Sequence, residues 1–212
     1  MNSLPAKQDL VMVGGGHSHA LALRMLAMDP LPETRLTLIS PDSLAAYSGM
    51  LPGLIAGHYQ VEDTHVDLPR LCQWAGVRFI RARVTALDSR LNRLTLDDGS
   101  TLDYDWLSLD IGSTPALDLV PGAREHAIPV KPVASFRARW QLALDHWPQQ
   151  DQAVKVCVVG GGAGGTEISL AIATALARRG LAADISLICA STLLSGYPKA
   201  LRLAMRKRLH QA

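Results

Sequence analysis

The chain carries the same glycine-rich turn twice, each time between an apolar run and a segment rich in Ala and Leu. The first turn, Gly14-Gly15-Gly16, follows the apolar run at 10–13 and precedes a predicted helix that extends to about Met28. The second turn, at 160–165, follows an apolar run at 154–159 and precedes a predicted helix at 166–179. Continuous apolar runs of this length are typical of parallel strands covered on both faces. The repeat therefore predicts two βαβ units.

The segments around the two turns complete this organisation. Further strands are predicted at 35–40 and 184–189, and Gly180 ends the second helix. Between the copies, alternating apolar residues at 77–87 and 93–109, interrupted by Asp97-Asp98-Gly99, predict an antiparallel insertion. A proline-rich crossover is expected at 115–131, and helices are expected at 133–147 and 199–210.

The glycine spacing indicates what the two turns bind. Residues 160–165 satisfy the G-x-G-x-x-G fingerprint in full, whereas in the first copy His19 occupies the third glycine position. In this fingerprint the first glycine permits the tight turn, and the second lets a pyrophosphate approach the N-terminus of the helix. The chain is thus predicted to be an α/β protein with two Rossmann-like, doubly wound dinucleotide-binding sheets and an antiparallel β insertion.

The acidic residue that usually holds the ribose is irregular in both copies. After the second strand of the first copy stand Ser40-Pro41-Asp42, so either Asp42 or the Ser40 hydroxyl would serve, unless Asp42 is only a solvated loop carboxylate. The second copy offers Cys189-Ala190-Ser191, with neither a carboxylate nor an arginine. The choice between NADH and NADPH stays open.

Composition narrows the partners and the compartment. The formal charge of +2 gives no reason to expect nucleic acid. Three cysteines without a metal or disulfide spacing favour a reduced, cytoplasmic protein, and no secretory leader is expected before residue 10. No apolar run reaches the roughly 20 residues of a membrane helix, so any membrane contact would be peripheral.

Three blocks carry a resemblance to a known family: 13–19, 47–59 and 104–113. They resemble the pyridine nucleotide-disulfide oxidoreductase superfamily, and within it the type II NADH dehydrogenase-like branch associated with selenide, water dikinase. The block at 47–59, YSGMLPGLIAGHY, is the most specific part.

This resemblance implies a set of cofactor contacts. FAD would be held by its pyrophosphate, ribose, adenine and flavin through Gly14, Gly15, Gly16, His17, Ser18, Ser40, Asp42, Ser48, Met50, Pro52, Val84, Asp110, Ile111 and Gly112. NAD(P)H would be held by Gly160, Gly162, Gly165 and Glu167. Lys131 either approaches the flavin from the crossover or is an exposed lysine.

The same resemblance implies a function. The chain would consist of an FAD-binding domain at 1–125 and an NAD(P)-binding domain at 126–212 that is incomplete at its C-terminus. The protein would transfer hydride from NAD(P)H to the flavin and then electrons to a small-molecule acceptor, which would be a quinone or a selenium or sulfur species. A fused or neighbouring selenide, water dikinase and a peripheral membrane contact through a missing C-terminal part are also implied. The alternative is a dinucleotide-binding regulatory or scaffold module without turnover.

Other residue patterns argue against further chemistry. Residues 43–57 contain no cysteine, so a C-x-x-x-x-C dithiol relay is excluded on this chain, and Cys72 fits a helix core. The spacing of His17, His19, His58 and His65 does not support a metal site. The basic residues at 202–208 fit either a membrane-surface helix or a helix C-terminus.

Overall fold

The computed structural model describes residues 8–149 and 152–211. Its strands and helices are, in chain order, β1 (Gln8–Val13), α1 (His17–Met28), β2 (Thr34–Ile39), β3 (Leu44–Ala46), α2 (Leu51–Ile55), β4 (His65–Asp67), α3 (Leu68–Ala75), β5 (Arg78–Ile80), β6 (Val84–Asp88), β7 (Arg93–Leu96), β8 (Thr101–Asp103), β9 (Trp106–Leu109), α4 (Ala123–His126), α5 (Val133–His146), β10 (Val154–Val159), α6 (Ala163–Arg178), β11 (Ala183–Ile188) and α7 (Lys199–Leu209).

The chain divides into two compact units that are not contiguous in sequence. Among the described residues, the first unit contains 8–47 and His65–Pro115, and the second contains Ser48–Thr64, 116–149 and 152–211. The expected boundary near residue 125 therefore does not coincide with the edges of these units. The excursion at Ser48–Thr64 belongs to the second unit because Leu51 and Ile55 are buried in its apolar core.

The first unit is built on a four-stranded parallel sheet in the order β5-β2-β1-β9. The predicted first βαβ unit is confirmed: β1 and β2 pair in parallel over their full length, with α1 between them in the chain. The prediction of an antiparallel insertion at 77–87 and 93–109 is wrong at the start of the first segment and at the end of the second. There β5 and β9 join the parallel sheet, and the alternation pattern could not reveal this because it does not specify the strand that each segment pairs with.

Both faces of this sheet are covered, as its apolar strands predict. Met12 of β1 packs with Leu23 of α1 and Leu68 of α3 on one face. The neighbouring Val13 packs with Leu94 of the antiparallel sheet β6-β7-β8 on the other face. The insertion expected from the sequence thus exists as three short strands and forms the second layer over the parallel sheet.

The second unit repeats the strand, turn and helix order. Strands β10 and β11 pair in parallel, and α6 lies between them in the chain. Its core combines α2, α5, β10 and α6, with Leu176 fully buried. The other face of the sheet is open in the described residues, where Val159 is 80% exposed and Ile188 is 54% exposed.

The last described helix, α7, is basic and superficial. None of its residues is buried, and its last turn contains Arg206, Lys207 and Arg208, where cations complement the helix dipole. Across the described residues, no helix combines the length and apolarity that crossing a bilayer requires.

Candidate dinucleotide-binding site

Each glycine loop begins at the carboxyl end of a parallel strand. The Gly14 N–H donates to the Ile39 carbonyl over 2.8 Å, and the Gly160 N–H donates to the Ile188 carbonyl over the same distance. In both units the loop is therefore anchored to the end of the neighbouring strand by the same bond. In open α/β sheets, ligands bind at these carboxyl ends.

Glycine is required in the first loop by the strand that lies beside it. Gly14 has φ +96°, and a Cβ there would overlap the backbone carbonyl of Asp110. A Cβ on Gly16 would overlap the Asp110 carboxylate. From the sequence, glycine at position 16 was explained by the approach of a pyrophosphate. This explanation is incomplete, because a side chain of the protein itself already occupies the space next to Gly16.

The start of α1 has backbone N–H groups without an acceptor, and it also has one N–H group that donates to a carboxylate of the protein itself. The His19 N–H donates to the Asp110 carboxylate over 3.0 Å. Among the described residues, the N–H groups of Gly16, His17 and Ser18 have no acceptor. Free N–H groups at a helix start, together with the positive end of the helix dipole, suit a phosphate.

The side chains that flank this helix start differ in exposure. His17 is exposed, and its ring stacks on Tyr47 with 4.2 Å between centroids. Ser18 is exposed as well, whereas His19 is buried. His17 thus presents an aromatic surface at the loop, and its own side chain does not cap the helix.

The residues expected around the adenosine half lie along the same sheet edge. Ser40 is buried directly after β2, and a Cβ on Gly15 would lie 3.0 Å from its Oγ. Asp42 is exposed in the loop that follows. Val84 begins β6 and packs against the cluster that contains Val13.

The residues expected around the flavin are divided between the units. Ile111 and Gly112 follow β9 in the first unit, and Ile111 is 72% exposed. The second unit contains the others: Ser48, Met50, Pro52 and Lys131. Lys131 is half-buried two residues before α5, so it is not the fully exposed lysine of one sequence interpretation.

The second loop has open space around Gly162, the second glycine of its fingerprint. Gly160 has φ +122°, and a Cβ on Gly165 would overlap the Gly160 carbonyl oxygen. By contrast, a Cβ on Gly162 would meet no atom within 4 Å. The space next to Gly162 is therefore free for a ligand, as the fingerprint requires.

Residues beside the second loop complete the candidate site. Glu167 is exposed on the first turns of α6. Cys189 packs against Gly161, and its thiol donates to the Ser191 carbonyl over 3.0 Å. A groove of about 750 Å³ is lined by residues of α6, β11 and α7, and it includes Arg202, whose buried Nε has no partner in the described residues.

Two features bear on metal and thiol chemistry. No group of three or more His, Cys, Asp or Glu side chains in the described part of the chain is arranged to hold a metal ion.

Cys72 is buried in α3, as its apolar spacing predicts, and this burial raises the pKa of its thiol to about 11. It is therefore protonated at neutral pH and a poor nucleophile.

Two parallel-stranded units, each with a glycine turn that opens a helix, define a protein of the two-dinucleotide-fold class. The sequence profile of the family described as pyridine nucleotide-disulphide oxidoreductase matches residues 8–212. The chain belongs to that family.

Individual relatives agree with this placement. The chain is 29% identical over 211 residues to the alternative NAD(P)H-ubiquinone oxidoreductase C1, chloroplastic/mitochondrial, of Arabidopsis thaliana, covering 92% of this chain and 40% of the relative. It is 27% identical over 103 residues to the sulfide-quinone reductase of Aquifex aeolicus, covering 49% of this chain and 24% of that enzyme. The chain thus spans less than half the length of these relatives.

Solved structures show the same fold. The structure of NDH2 from Plasmodium falciparum in complex with NADH superposes with a TM-score of 0.83 at 18% identity, over 97% of this chain and 46% of that one. The sulfide:quinone oxidoreductase of Aquifex aeolicus gives a TM-score of 0.75 at 20% identity, over 96% and 49%. The α/β, Rossmann-like fold with parallel sheets and a three-stranded antiparallel insertion, predicted from the sequence, is confirmed.

Sequence analysis missed one residue that supports the first loop, Ser108. Asp110 was among the predicted cofactor-binding residues, but its bond to the start of α1 was not expected. The structure places both on or just after β9, where they reach His19. A signal was present in the strand itself, because a polar residue such as Ser108 inside an otherwise apolar parallel strand usually needs a buried partner.

Proposed function

We propose that this chain forms the dinucleotide-binding part of an FAD-dependent NAD(P)H oxidoreductase that delivers electrons to a quinone. One observation carries the proposal: the glycine turn recurs in two units, and in each it opens a helix at the carboxyl end of a parallel strand. A chain that binds one nucleotide needs one such turn. Two turns fit a protein that holds two dinucleotides.

In this proposal the first loop binds FAD and the second binds NAD(P)H. Free N–H groups of Gly16, His17 and Ser18 would receive the FAD pyrophosphate. The open side of Gly162 would receive the nicotinamide dinucleotide. When bound, FAD would supply the hydride-accepting chemistry, while the protein holds and orients both groups.

The remaining assigned residues support the same arrangement. Ser40 and Asp42 follow β2, where the ribose of the adenosine half is expected. Of the two, exposed Asp42 has a carboxylate free to accept from ribose hydroxyls, whereas Ser40 is buried against Gly15. We therefore favour Asp42 as the ribose ligand.

A quinone acceptor is favoured by the relatives. The two curated relatives are named as a ubiquinone oxidoreductase and a quinone reductase. A selenium or sulfur acceptor and an association with selenide, water dikinase rest on the sequence resemblance of the blocks at 13–19, 47–59 and 104–113, of which 47–59 is the most specific. A cytoplasmic location with peripheral membrane contact fits a quinone acceptor and belongs to the same proposal.

Anaerobic spectroscopy tests the function directly. The protein is purified, supplied with FAD and titrated with NADH and, separately, NADPH. Loss of the flavin absorbance on adding either nucleotide supports an oxidoreductase. A bound flavin that neither nucleotide bleaches would favour the non-catalytic binding module, and the absence of any flavin binding would exclude the flavin-dependent oxidoreductase.

A matched pair of variants sharpens this test. Gly162→Ala puts a methyl group into the open space that the nicotinamide dinucleotide would occupy, while Gly164→Ala, also in open space, lies within α6. We expect Gly162→Ala to abolish bleaching at nucleotide concentrations that saturate Gly164→Ala. Equal bleaching of the two variants would contradict the assignment of the second loop.

A further inference from the structure

The ring of His19 is held at both nitrogens inside the first unit. The residue is 4% exposed. Its Nδ1 lies 2.7 Å from the Gly14 carbonyl oxygen, and its Nε2 lies 2.8 Å from the Ser108 hydroxyl. The side chain thus links the glycine loop to strand β9.

The partners fix the direction of these bonds. A carbonyl oxygen only accepts, so Nδ1 carries a proton and donates to Gly14. In the neutral ring Nε2 is then an acceptor, and the Ser108 hydroxyl donates to it. The geometry therefore selects one tautomer of His19.

Holding the Gly14 carbonyl also holds the next N–H group. The Gly14 carbonyl and the Gly15 N–H belong to one planar trans peptide and point in opposite directions. Gly14 has φ +96°, and glycine on both sides leaves this peptide free to rotate. The bond from His19 therefore directs the Gly15 N–H away from the ring, and this N–H has no acceptor among the described residues.

The second loop fixes the corresponding peptide by another means. There Gly165 stands at the position of His19 and packs directly on the Gly160 carbonyl. In both loops, the residue at the third motif position thus contacts the carbonyl of the first glycine. Gly165 does so by close packing, and His19 does so by a hydrogen bond.

We propose that His19 is a positioning residue for FAD, which orients the Gly14–Gly15 peptide through Nδ1 and is itself held by Ser108 through Nε2. The inference rests on the proposed FAD site at the first loop. It assigns to a histidine the task that glycine performs in the complete fingerprint.

Three substitutions separate the two bonds. The His19→Asn amide can reproduce the Nδ1 donor, the His19→Gln amide reaches the Nε2 position, and Ser108→Ala removes only the outer partner. We expect FAD affinity to fall about tenfold in His19→Gln, to fall by about twofold to fivefold in Ser108→Ala, and to be largely retained in His19→Asn. Binding is measured by quenching of flavin fluorescence.

One control variant and two further measurements distinguish positioning from general stability. His126→Asn changes an exposed histidine of the other unit and should bind FAD as the unsubstituted protein does. Nitrogen NMR of the His19 ring in the protein without FAD should show the proton on Nδ1, and thermal unfolding without FAD should not follow the order of the FAD affinities.

The outcomes are separable. If the unsubstituted protein binds FAD and His19→Gln binds it equally well, or if the ring proton resides on Nε2, the positioning role is overturned while the proposed function stands. If the unsubstituted protein binds no FAD, the proposed function fails and the positioning role fails with it.

Discussion

Gly165 lies so close to the carbonyl oxygen of Gly160 that even one added methyl group would overlap it. The third glycine of the fingerprint therefore serves the contact between helix α6 and its own loop. Gly162 has no atom within 4 Å of an added Cβ, and this open space is where we propose that the nicotinamide dinucleotide binds. One motif thus contains glycines that are required for different reasons.

These reasons predict different outcomes for three substitutions in one loop. Gly165→Ala should lower the free energy of unfolding by about 1–3 kcal/mol or more, because backbone atoms must move to relieve the overlap. Gly164→Ala should be neutral or stabilise by about 0.5–1 kcal/mol, since it lies in α6 with open space around it. Gly162→Ala should keep the stability and lose nucleotide binding. Urea unfolding and nucleotide titration measure the two properties, and a stable Gly165→Ala protein would contradict the packing argument.

The first loop allows a test by double substitution. Gly16→Ala should be destabilising because the new methyl overlaps the Asp110 carboxylate, and Asp110→Ala in the same chain should recover most of the loss. Gly14→Ala should not be recovered in this way, because its overlap is with the Asp110 backbone and its φ is +96°. Denaturant unfolding of the single and double variants gives the coupling energies. Equal recovery for both glycines would show that the carboxylate is not the obstacle.

The buried thiol should be inert at neutral pH. The pKa of Cys72 is raised to about 11 by desolvation, so roughly one thiol in a thousand is ionised near pH 8. Iodoacetamide should therefore label exposed Cys157 in the native protein and reach Cys72 only after unfolding. Mass spectrometry of peptides gives the site of labelling, and rapid native labelling of Cys72 would contradict its burial.

The same thiol contributes a pH dependence with a defined sign. Its folded pKa lies above the unfolded value near 9, so its contribution to stability is complete below about pH 9 and is lost as the pH rises towards 11. Cys72→Ala should lack this alkaline loss relative to the unsubstituted protein. Chemical unfolding at a series of alkaline pH values measures it, with Cys157→Ala as the matched control.

Core leucines test the packing of the second unit. Leu176 is fully buried between α6 and its neighbours, whereas Leu142 on α5 is 69% exposed. Leu176→Ala should cost about 2–5 kcal/mol through lost burial and a residual cavity, and Leu142→Ala should stay within about 0.5 kcal/mol. Similar losses for both would mean that the core described for this unit is incorrect.

The sequence by itself determined the repeated architecture. Gly14 and Gly160 stand directly after β1 and β10, and the helices that follow are where the apolar spacing predicts them. These features are local, since strand, turn and helix signals lie within about 30 residues and depend on backbone sterics and apolar periodicity. The overall α/β class followed from them.

Only the tertiary structure decided which distant residues complete each loop. Asp110 and Ser108 are about 90 residues from His19 in the chain, yet both bond to it because β9 pairs with β1. The placement of Ser48–Thr64 in the second unit was likewise unpredictable from a contiguous division. Strand partners and buried contacts depend on the register and packing of the whole chain, and single-sequence periodicity does not specify them.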